Sequence, residues 1–374
     1  VLTLARRDER GALMQYFIGL MSGTSLDGID AVLLYSGTKP SIHAHTHRAF
    51  PDALRSALLA LNYSGSDELH RAAVAAQELA QHYALAVSDL LQQAQITAAQ
   101  ISAIGCHGQT IRHRPDAGYT VQLVNAALLA ELTHICVVCD FRSRDIAAGG
   151  EGAPLVPAFH RAAFGDALST RAIVNIGGIA NITTLFPDQN TFGFDCGPGN
   201  ILMDAWIQSQ LGKPYDDQGQ WAGQGQCKTE LLNQLLTHPF FARNPPKSTG
   251  RDLFHLNWLR DYLTGHEAAA DVQATLLELT ARTISNAIRA HCHGTTAVFL
   301  CGGGAHNSAL FNRIGELLPE ASVASTALLG IAVDHVEAAA FAWLAQRTLR
   351  GESGNLAAVT GARGPRILGA IYPA

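Results

Sequence analysis

The 374-residue chain has little charge: 15% of its residues are Asp, Glu, Lys or Arg, against 48% hydrophobic. That balance gives a folded core and excludes a disordered chain. A basic excess is missing too. The net charge is -5 and the pI near 6.3, without the cationic footprint of a nucleic-acid binder. No run reaches the roughly 18 apolar residues of a membrane span. The start, "VLTLARRDERGALMQY", has no long apolar segment after its charges, so no secretory leader is expected. There is no low-complexity linker. Cysteines number seven, an odd count, and sit mostly in apolar runs. Such thiols are expected to be reduced, in a cytoplasmic protein. "CVVC" (Cys136 to Cys139) lies in a β-branched run, where side chains three apart face opposite ways, so it reads as strand, not as a redox or zinc pair. No G-x-S-x-G element supports a serine hydrolase.

What is there reads as α/β. At about 100–200 residues per domain, two domains are expected. Residues 16–35 read as strand, loop, strand. Residues 52–61, 68–94, 224–237, 254–263 and 270–291 carry helical spacing. "HICVVCDF" reads as a strand, and "DHVEAAAFAWLAQRTL" as an Ala-rich helix that packs closely on a neighbour. The last stretch, "VTGARGPRILGAIYPA", reads as irregular. "RAIVNIGGIANITTLF" repeats the grammar of "FIGLMSGTSLDGIDAVLL": apolar strand, small-residue turn, apolar strand. Two related halves, each a sheet flanked by helices, follow from that repeat, and a cleft between such lobes is a common ligand site.

Three glycine turns carry the chemistry. In the first, backbone N–H groups of Gly23, Thr24, Ser25 and Gly28, with the Ser22 hydroxyl, can converge on an anion. Asp27 and Asp30 would repel a phosphate unless a hard cation such as Mg²⁺ bridges them. The second is Asn175-Ile176-Gly177-Gly178. The third, Gly302-Gly303-Gly304 with Asn307, follows a strand and opens a helix, which suits a nucleotide. Each alone is equally readable as a tight turn. None is a Walker P-loop or a G-x-G-x-x-G after a first strand. "GFDCGPGN" places Asp195 at a strand end before Gly197, Gly199 and Asn200, a position for an ionised general base or for an ordinary Asx turn. "DFRSRD" offers Arg142 and Arg144 as anion forks or surface ion pairs. His43, His45 and His47 share one strand face and read as solvated polar residues before they read as metal ligands. His107 is a sugar contact or a satisfied structural histidine.

"GLMSGTSLDGID", "GCHGQTI", "DFRSRDIAAGGEGAPLVPAFH", "NIGGIANIT", "GFDCGPGNILMDAW", "PKSTGRD" and "CGGGAHN" run in order over nearly the whole chain. Together they resemble the signatures of the anhydro-N-acetylmuramic acid kinases. One departure is Ala126, where the family usually has proline. The resemblance implies the actin-like ATPase (ribonuclease H-like) fold: two lobes with mixed sheets flanked by helices and an interlobe cleft. Expected bounds are 14–140 plus 360–374 for the first lobe and 141–359 for the second, with 1–13 an extension.

It further implies an ATP- and Mg²⁺-dependent kinase that opens 1,6-anhydro-N-acetylmuramic acid with water and phosphorylates O6. Asp195 matches the catalytic base, and Arg144 would stabilise the transferring phosphoryl group. Gly23, Thr24, Ser25, Leu26, Asp27, Gly28, Ile29, Asp30, Gly177, Gly178, Gly197, Gly199, Asn200, Gly302, Gly303, Gly304 and Asn307 would hold the nucleotide, and Asp27 the metal. Ser22, Asp27, His107, Gln109, Arg144, Asp195 and Glu337 would hold the sugar. A homodimer is implied, with the Ala-rich late helix one possible contact. The rivals are an ordinary sugar kinase acting on a free hydroxyl, a nucleotide-gated binding module like a chaperone lobe, and a nucleotide-free sugar-binding protein.

Overall fold

The computed structural model describes residues 16–23, 26–37, 39–188, 190–245, 247–250 and 253–374. Thr24, Ser25 and the extension 1–13 lie outside the described residues. The chain divides into two units. The first holds the residues up to Ala163 together with His335–Ala374, and the second is Phe164–Asp334.

In the first unit the nearly unbroken apolar runs of β1 (Tyr16–Met21) and β2 (Gly28–Ser36) form inner strands. Such runs need cover on both faces. The alternating polar β3 (Pro40–Ala49) takes the edge. With β4 (Ile101–Cys106) and the three-residue β7 (Val137–Cys139), the order is β3-β2-β1-β4-β7. The neighbours β1/β2 and β2/β3 are antiparallel, and β1/β4 and β4/β7 parallel. Between β4 and β7, β5 (Gln109–Arg114) and β6 (Tyr119–Leu123) make a separate two-stranded sheet. Helix Glu68–Ala94 buries Leu79, Tyr83, Val87 and Leu90, the stripe that its helical spacing prescribes.

Helix Val336–Leu349 packs on β1, β2 and β4. Its alanines 338, 339, 340, 342 and 345 are fully buried. The sheet beneath is equally bare. Gly19 and Gly105 are register partners in β1 and β4, and a Cβ on either would run into the carbonyl oxygens of Ala338 and Phe341. This contact explains why the unit boundary differs from the expected one. Residues 141–163 and 335–359 belong with the first unit, because the Ala-rich helix completes that unit's core. The same burial removes this helix from consideration as a dimer contact, since almost all of it is covered within its own unit.

The segment expected to be irregular begins on the end of a helical turn (Ala357–Thr360) and holds a strand (Ala370–Tyr372) paired antiparallel to β7. That pairing partner lies more than 200 residues away, beyond the reach of local pattern. At Ala126, the family's proline position, the residue opens helix Ala126–Thr133 and the Asn125 side chain caps it by accepting from Leu128 N at 3.0 Å. Proline is favoured at that first position because its φ is preset, and alanine forms the helix without it.

The second unit repeats the plan. β8 (Thr170–Ile176), β9 (Ile179–Leu185), β10 (Thr191–Pro198), β11 (Thr295–Cys301) and β12 (Ser322–Ser325) run in the order β10-β9-β8-β11-β12. β8/β9 and β9/β10 are antiparallel, and β8/β11 and β11/β12 parallel. Counted within each sheet, the second reads 3-2-1-4-5 and the first reads the same with Ala370–Tyr372 added beyond its fifth strand; in both the second strand is reversed, the ribonuclease H-like arrangement of the actin-like ATPase fold. Helix Ala269–His291 supplies the largest apolar face of this core, with Val272, Leu276, Leu279 and Ile284 buried. No helix among the described residues is long and apolar enough to cross a membrane.

Gly19→Ala and Gly105→Ala are each expected to lower the unfolding free energy by about 2 kcal/mol or more, the cost of overpacking against backbone that cannot yield. Gly223→Ala, whose Cβ would meet nothing within 4 Å, serves as the neutral control. Urea midpoints compared at constant slope check this.

Candidate functional site

The first unit gathers several predicted residues at the ends of β1 and β4. Ser22 is buried, with its Oγ 2.7 Å from the Tyr83 hydroxyl. Gln109 Nε2 donates to Gly23 O at 3.1 Å. Together these side chains fix the start of the Ser22–Asp30 turn. Further along, the Asp27 carboxylate accepts from Gly28 N at 3.0 Å. Asp30 pairs with His47 across β2 and β3 at 2.8 Å. The side chains of Leu26 and Ile29 lie in the core, so these two residues have only backbone to offer a ligand. Thr24 and Ser25 are outside the described residues.

His107 is buried and its ring lies 4.6 Å from that of Phe341. Its Nε2 accepts from Arg142 Nη2 at 2.9 Å and Nε at 3.2 Å. Burial first, and the Arg142 charge second, push its pKa well down, so the imidazole is neutral. Its Nε2 is thus bonded within the protein, while its buried Nδ1 has no hydrogen-bond partner among the described residues. Arg142 also donates to Gly152 O at 2.8 Å. Burial lowers its guanidinium to about 10, offset by the carboxylates of Glu337 and Asp145. Glu337 and Phe341 are one helical turn apart, so one face of the Ala-rich helix brings a carboxylate and a ring to the His107–Arg142 pair.

Asp145 is 0% exposed. It accepts from Gly152 N at 2.9 Å, Asn355 Nδ2 at 2.6 Å and Thr360 Oγ1 at 2.8 Å. This clamp ties the glycine segment after "DFRSRD" to the 355–360 stretch. Arg144, between the two wired residues, is exposed on the short helix Ser143–Ala147. The sequence pattern does not tell Arg142 from Arg144. Only the fold shows that Arg142 is internal and Arg144 external.

The three histidines of "HAHTH" have separate neighbours. His43 lies against Tyr16, with ring centres 5.5 Å apart, His45 against His335 at 3.9 Å, and His47 against Asp30.

In the second unit the glycine turns converge. Gly199 N and Asn200 N donate to Gly178 O and Gly177 O at 2.9 and 2.8 Å, which docks the "GPGN" turn on the β8–β9 turn. A Cβ on Gly199 would strike Gly177 O, and one on Gly304 would strike the Ile176 side chain. Gly302, at φ +77, abuts Asn175 Oδ1. All three turns are thus in mutual contact, and the backbone could not come so close if Gly199, Gly302 or Gly304 carried a side chain. Asn307 accepts from Leu310 N at 3.0 Å and caps the helix Ser308–Leu317. Gly197, at φ +152, sits against Phe241 and Thr283.

Asp195 stands in β10 opposite Asn181, where the register slips between Asp195 and Gly197. Such a bulge re-aims a side chain. β10 is an edge strand, and the Asp195 N–H finds its acceptor outside the sheet, at Lys247 O, 3.1 Å away. Thr249 N returns a bond to Asp195 Oδ2 at 3.0 Å. Burial drives the Asp195 pKa up to about 6, against the opposing pull of the Thr249 N–H and the Ser248 hydroxyl. The pairing with 247–249 had no local signal, since "PKSTGRD" lies some fifty residues downstream.

The family model for anhydro-N-acetylmuramic acid kinase matches residues 15–374. The relative from Nitrosospira multiformis is 53% identical over 362 residues, covering 96% of this chain and 99% of the relative. That from Nitrosomonas europaea is 54% identical, covering 96% and 100%. The relative from Thiobacillus denitrificans is 55% identical, covering 96% and 97%. All three are named anhydro-N-acetylmuramic acid kinase. Among solved structures, component A of (R)-2-hydroxyglutaryl-CoA dehydratase from Acidaminococcus fermentans gives a TM-score of 0.45 at 13% identity, covering 88% of this chain and 96% of that one. That likeness is too loose to bear weight. The relatives match almost end to end at more than half identity, and on that ground the chain belongs to the anhydro-N-acetylmuramic acid kinase family.

Proposed function

We propose that the chain uses ATP to open the 1,6-anhydro bridge of 1,6-anhydro-N-acetylmuramic acid and to phosphorylate the released O6. The products are N-acetylmuramic acid 6-phosphate and ADP, in cytoplasmic peptidoglycan recycling. Relatives sharing more than half of its residues bear this kinase's name. The observation within the chain that carries the reading is the Asp195 carboxylate, set at a bulge, held by one backbone amide and pushed up to about 6. A carboxylate in that condition is a stronger base than an exposed one and is still ionised at neutral pH.

In the proposed reaction a water oxygen bonds to the anomeric carbon as the C1–O6 bond breaks. The water's proton goes to Asp195. The electron pair left on O6 takes the γ-phosphoryl group, and ADP departs. Attack opposite the bridge oxygen is the geometry of an inverting glycosidase, with a phosphoryl group in place of the proton. Phosphoryl transfer calls for positioned charge around the equatorial oxygens. Arg144 is assigned that part, since it is exposed while Arg142 is committed to His107 and Gly152. Direct sugar contact is assigned to Asp195, Arg144 and Glu337. Ser22, His107 and Gln109 shape the sugar site through the protein bonds they already make.

The Ser22–Asp30 turn and Gly177-Gly178 are assigned the phosphates. Gly197, Gly199, Asn200, Gly302, Gly303, Gly304 and Asn307 complete the nucleotide site. Mg²⁺, when bound, neutralises charge on the phosphates. Asp27 is assigned to hold it. One exposed carboxylate fits a cation that keeps waters and phosphate oxygens as its other ligands. A homodimer is part of the same proposal.

Asp195→Asn is expected to keep the fold while ADP release with the anhydro-sugar falls roughly 10²–10⁴-fold, the usual range for losing a general base. An unchanged rate rejects the base assignment. The stability sign runs the other way. With the folded pKa above the usual 3.8, the stability that protonated Asp195 brings is present below about pH 4 and lost as pH rises through 6. The loss is at most about 3 kcal/mol. The Asn variant should therefore unfold no more easily than the parent at pH 7, and its advantage should grow between pH 4 and 6 in denaturant titrations. The rate of the parent should fall tenfold per pH unit below about 6, as the base protonates. An NMR time course should show the α-anomer of the product first, and β first would reject inversion.

A further inference from the structure

The segment Lys247–Thr249 takes no part in the reaction above, yet it meets Asp195 three times. Lys247 O accepts from the Asp195 N–H at 3.1 Å, and Thr249 N donates to its carboxylate at 3.0 Å. The Ser248 hydroxyl favours the ionised form of the same carboxylate. The Lys247 side chain turns inward and is 7% exposed. Its Nζ lies 3.4 Å from both Phe240 O and Phe241 O, at the end of the short helix Pro239–Ala242. It also sits 4.9 Å from the centre of the Phe240 ring and 6.0 Å from that of Phe194.

No carboxylate pairs with this ammonium among the described residues. The ionisable groups around it are Cys196, Arg243 and His291. None is an anion near neutral pH: burial pushes the Cys196 thiol far up, and burial pushes the imidazole of His291 down. A buried cation without a counter-anion is expensive, and among the described residues it is compensated by carbonyl dipoles and aromatic faces. An apolar residue would fill the same space without that cost. What the cation adds is a fixed link between residues 240–241 and residue 247, which closes the intervening loop.

We propose that Lys247 is a positioning residue for the general base: pinned to the Phe240 and Phe241 carbonyls, it sets the 247–249 segment that orients the Asp195 carboxylate. The proposal rests on the reading of Asp195 as the base. Without the link, the Thr249 N–H loosens from the carboxylate, and a donor that favours the charged form is lost.

The test uses Lys247→Met in the full chain, assayed by ADP release with ATP and the anhydro-sugar across pH. In a folded variant, kcat should fall about tenfold or more with the KM for ATP within about twofold, and the acid limb should move up by roughly half a pH unit or more. Lys247→Arg keeps a cation for the rings and carbonyls and should return the acid limb to its original place. A folded Lys247→Met with parental kcat overturns the proposal, as does one whose kcat falls while the acid limb stays put. If Asp195→Asn is inactive in the same assay, such a result concerns Lys247 alone. If Asp195→Asn is active, the base assignment itself fails. Should Lys247→Met not fold, residue-resolved hydrogen exchange on the parent chain decides. Slow exchange at the Asp195 and Thr249 amides supports the clamp, and exchange at the rate of an open loop overturns it.

Discussion

A partly buried carboxylate with no cation paired to it among the described residues is the constraint on which this site depends. Asp195 has no ion-pair partner among the described residues, and its charge is held by a single backbone N–H and a hydroxyl. A lysine or arginine beside it would hold the pKa down and leave a weak base. Burial alone would push it up until it stayed protonated. The bulge in β10 and the docked 247–249 segment set a balance between these extremes. An edge strand makes that balance possible, because its outward N–H and C=O groups are open to a non-sheet partner.

Backbone carries an unusual share of the architecture. In the first unit, register-paired Gly19 and Gly105 let a helix rest on the sheet's own backbone. In the second, Gly199, Gly302 and Gly304 let three turns touch. These are different uses of one property. At Gly302 the φ of +77 is itself disfavoured for other residues, whereas Gly19 and Gly199 are required by space alone. Donors aimed by backbone need no side-chain ordering, which suits a ligand rich in anionic oxygens.

The hairpin repeat and the long helices were legible in the sequence because each rests on a local pattern, strand periodicity or helical spacing; Asp195, read there at a strand end, stands inside β10, which runs on to Pro198. Contacts distant in sequence were not. The strand Ala370–Tyr372 depends on β7, and the Ala-rich helix belongs to the first unit because of two glycines more than 230 residues before it. Arg142 and Arg144 are two positions apart and chemically identical, and only the position of His107 separates their surroundings. Lys247 sat in a recognisable motif, but nothing local said that its carbonyl would meet Asp195.

The division of the chain bears on the order in which it is made. The second unit is one unbroken stretch, Phe164–Asp334, inserted into the first. Its core has every strand and helix it needs as soon as that stretch leaves the ribosome. The first unit does not: β1 and β4 lack their cover until Val336–Leu349 emerges, and Asp145 waits for Asn355 and Thr360. Synthesis at about 5–20 residues per second leaves the earlier half exposed for roughly ten seconds or more while the later half folds. In the nascent chain, then, the uncovered face of β1 and β4 is the surface that a holdase would have to shield.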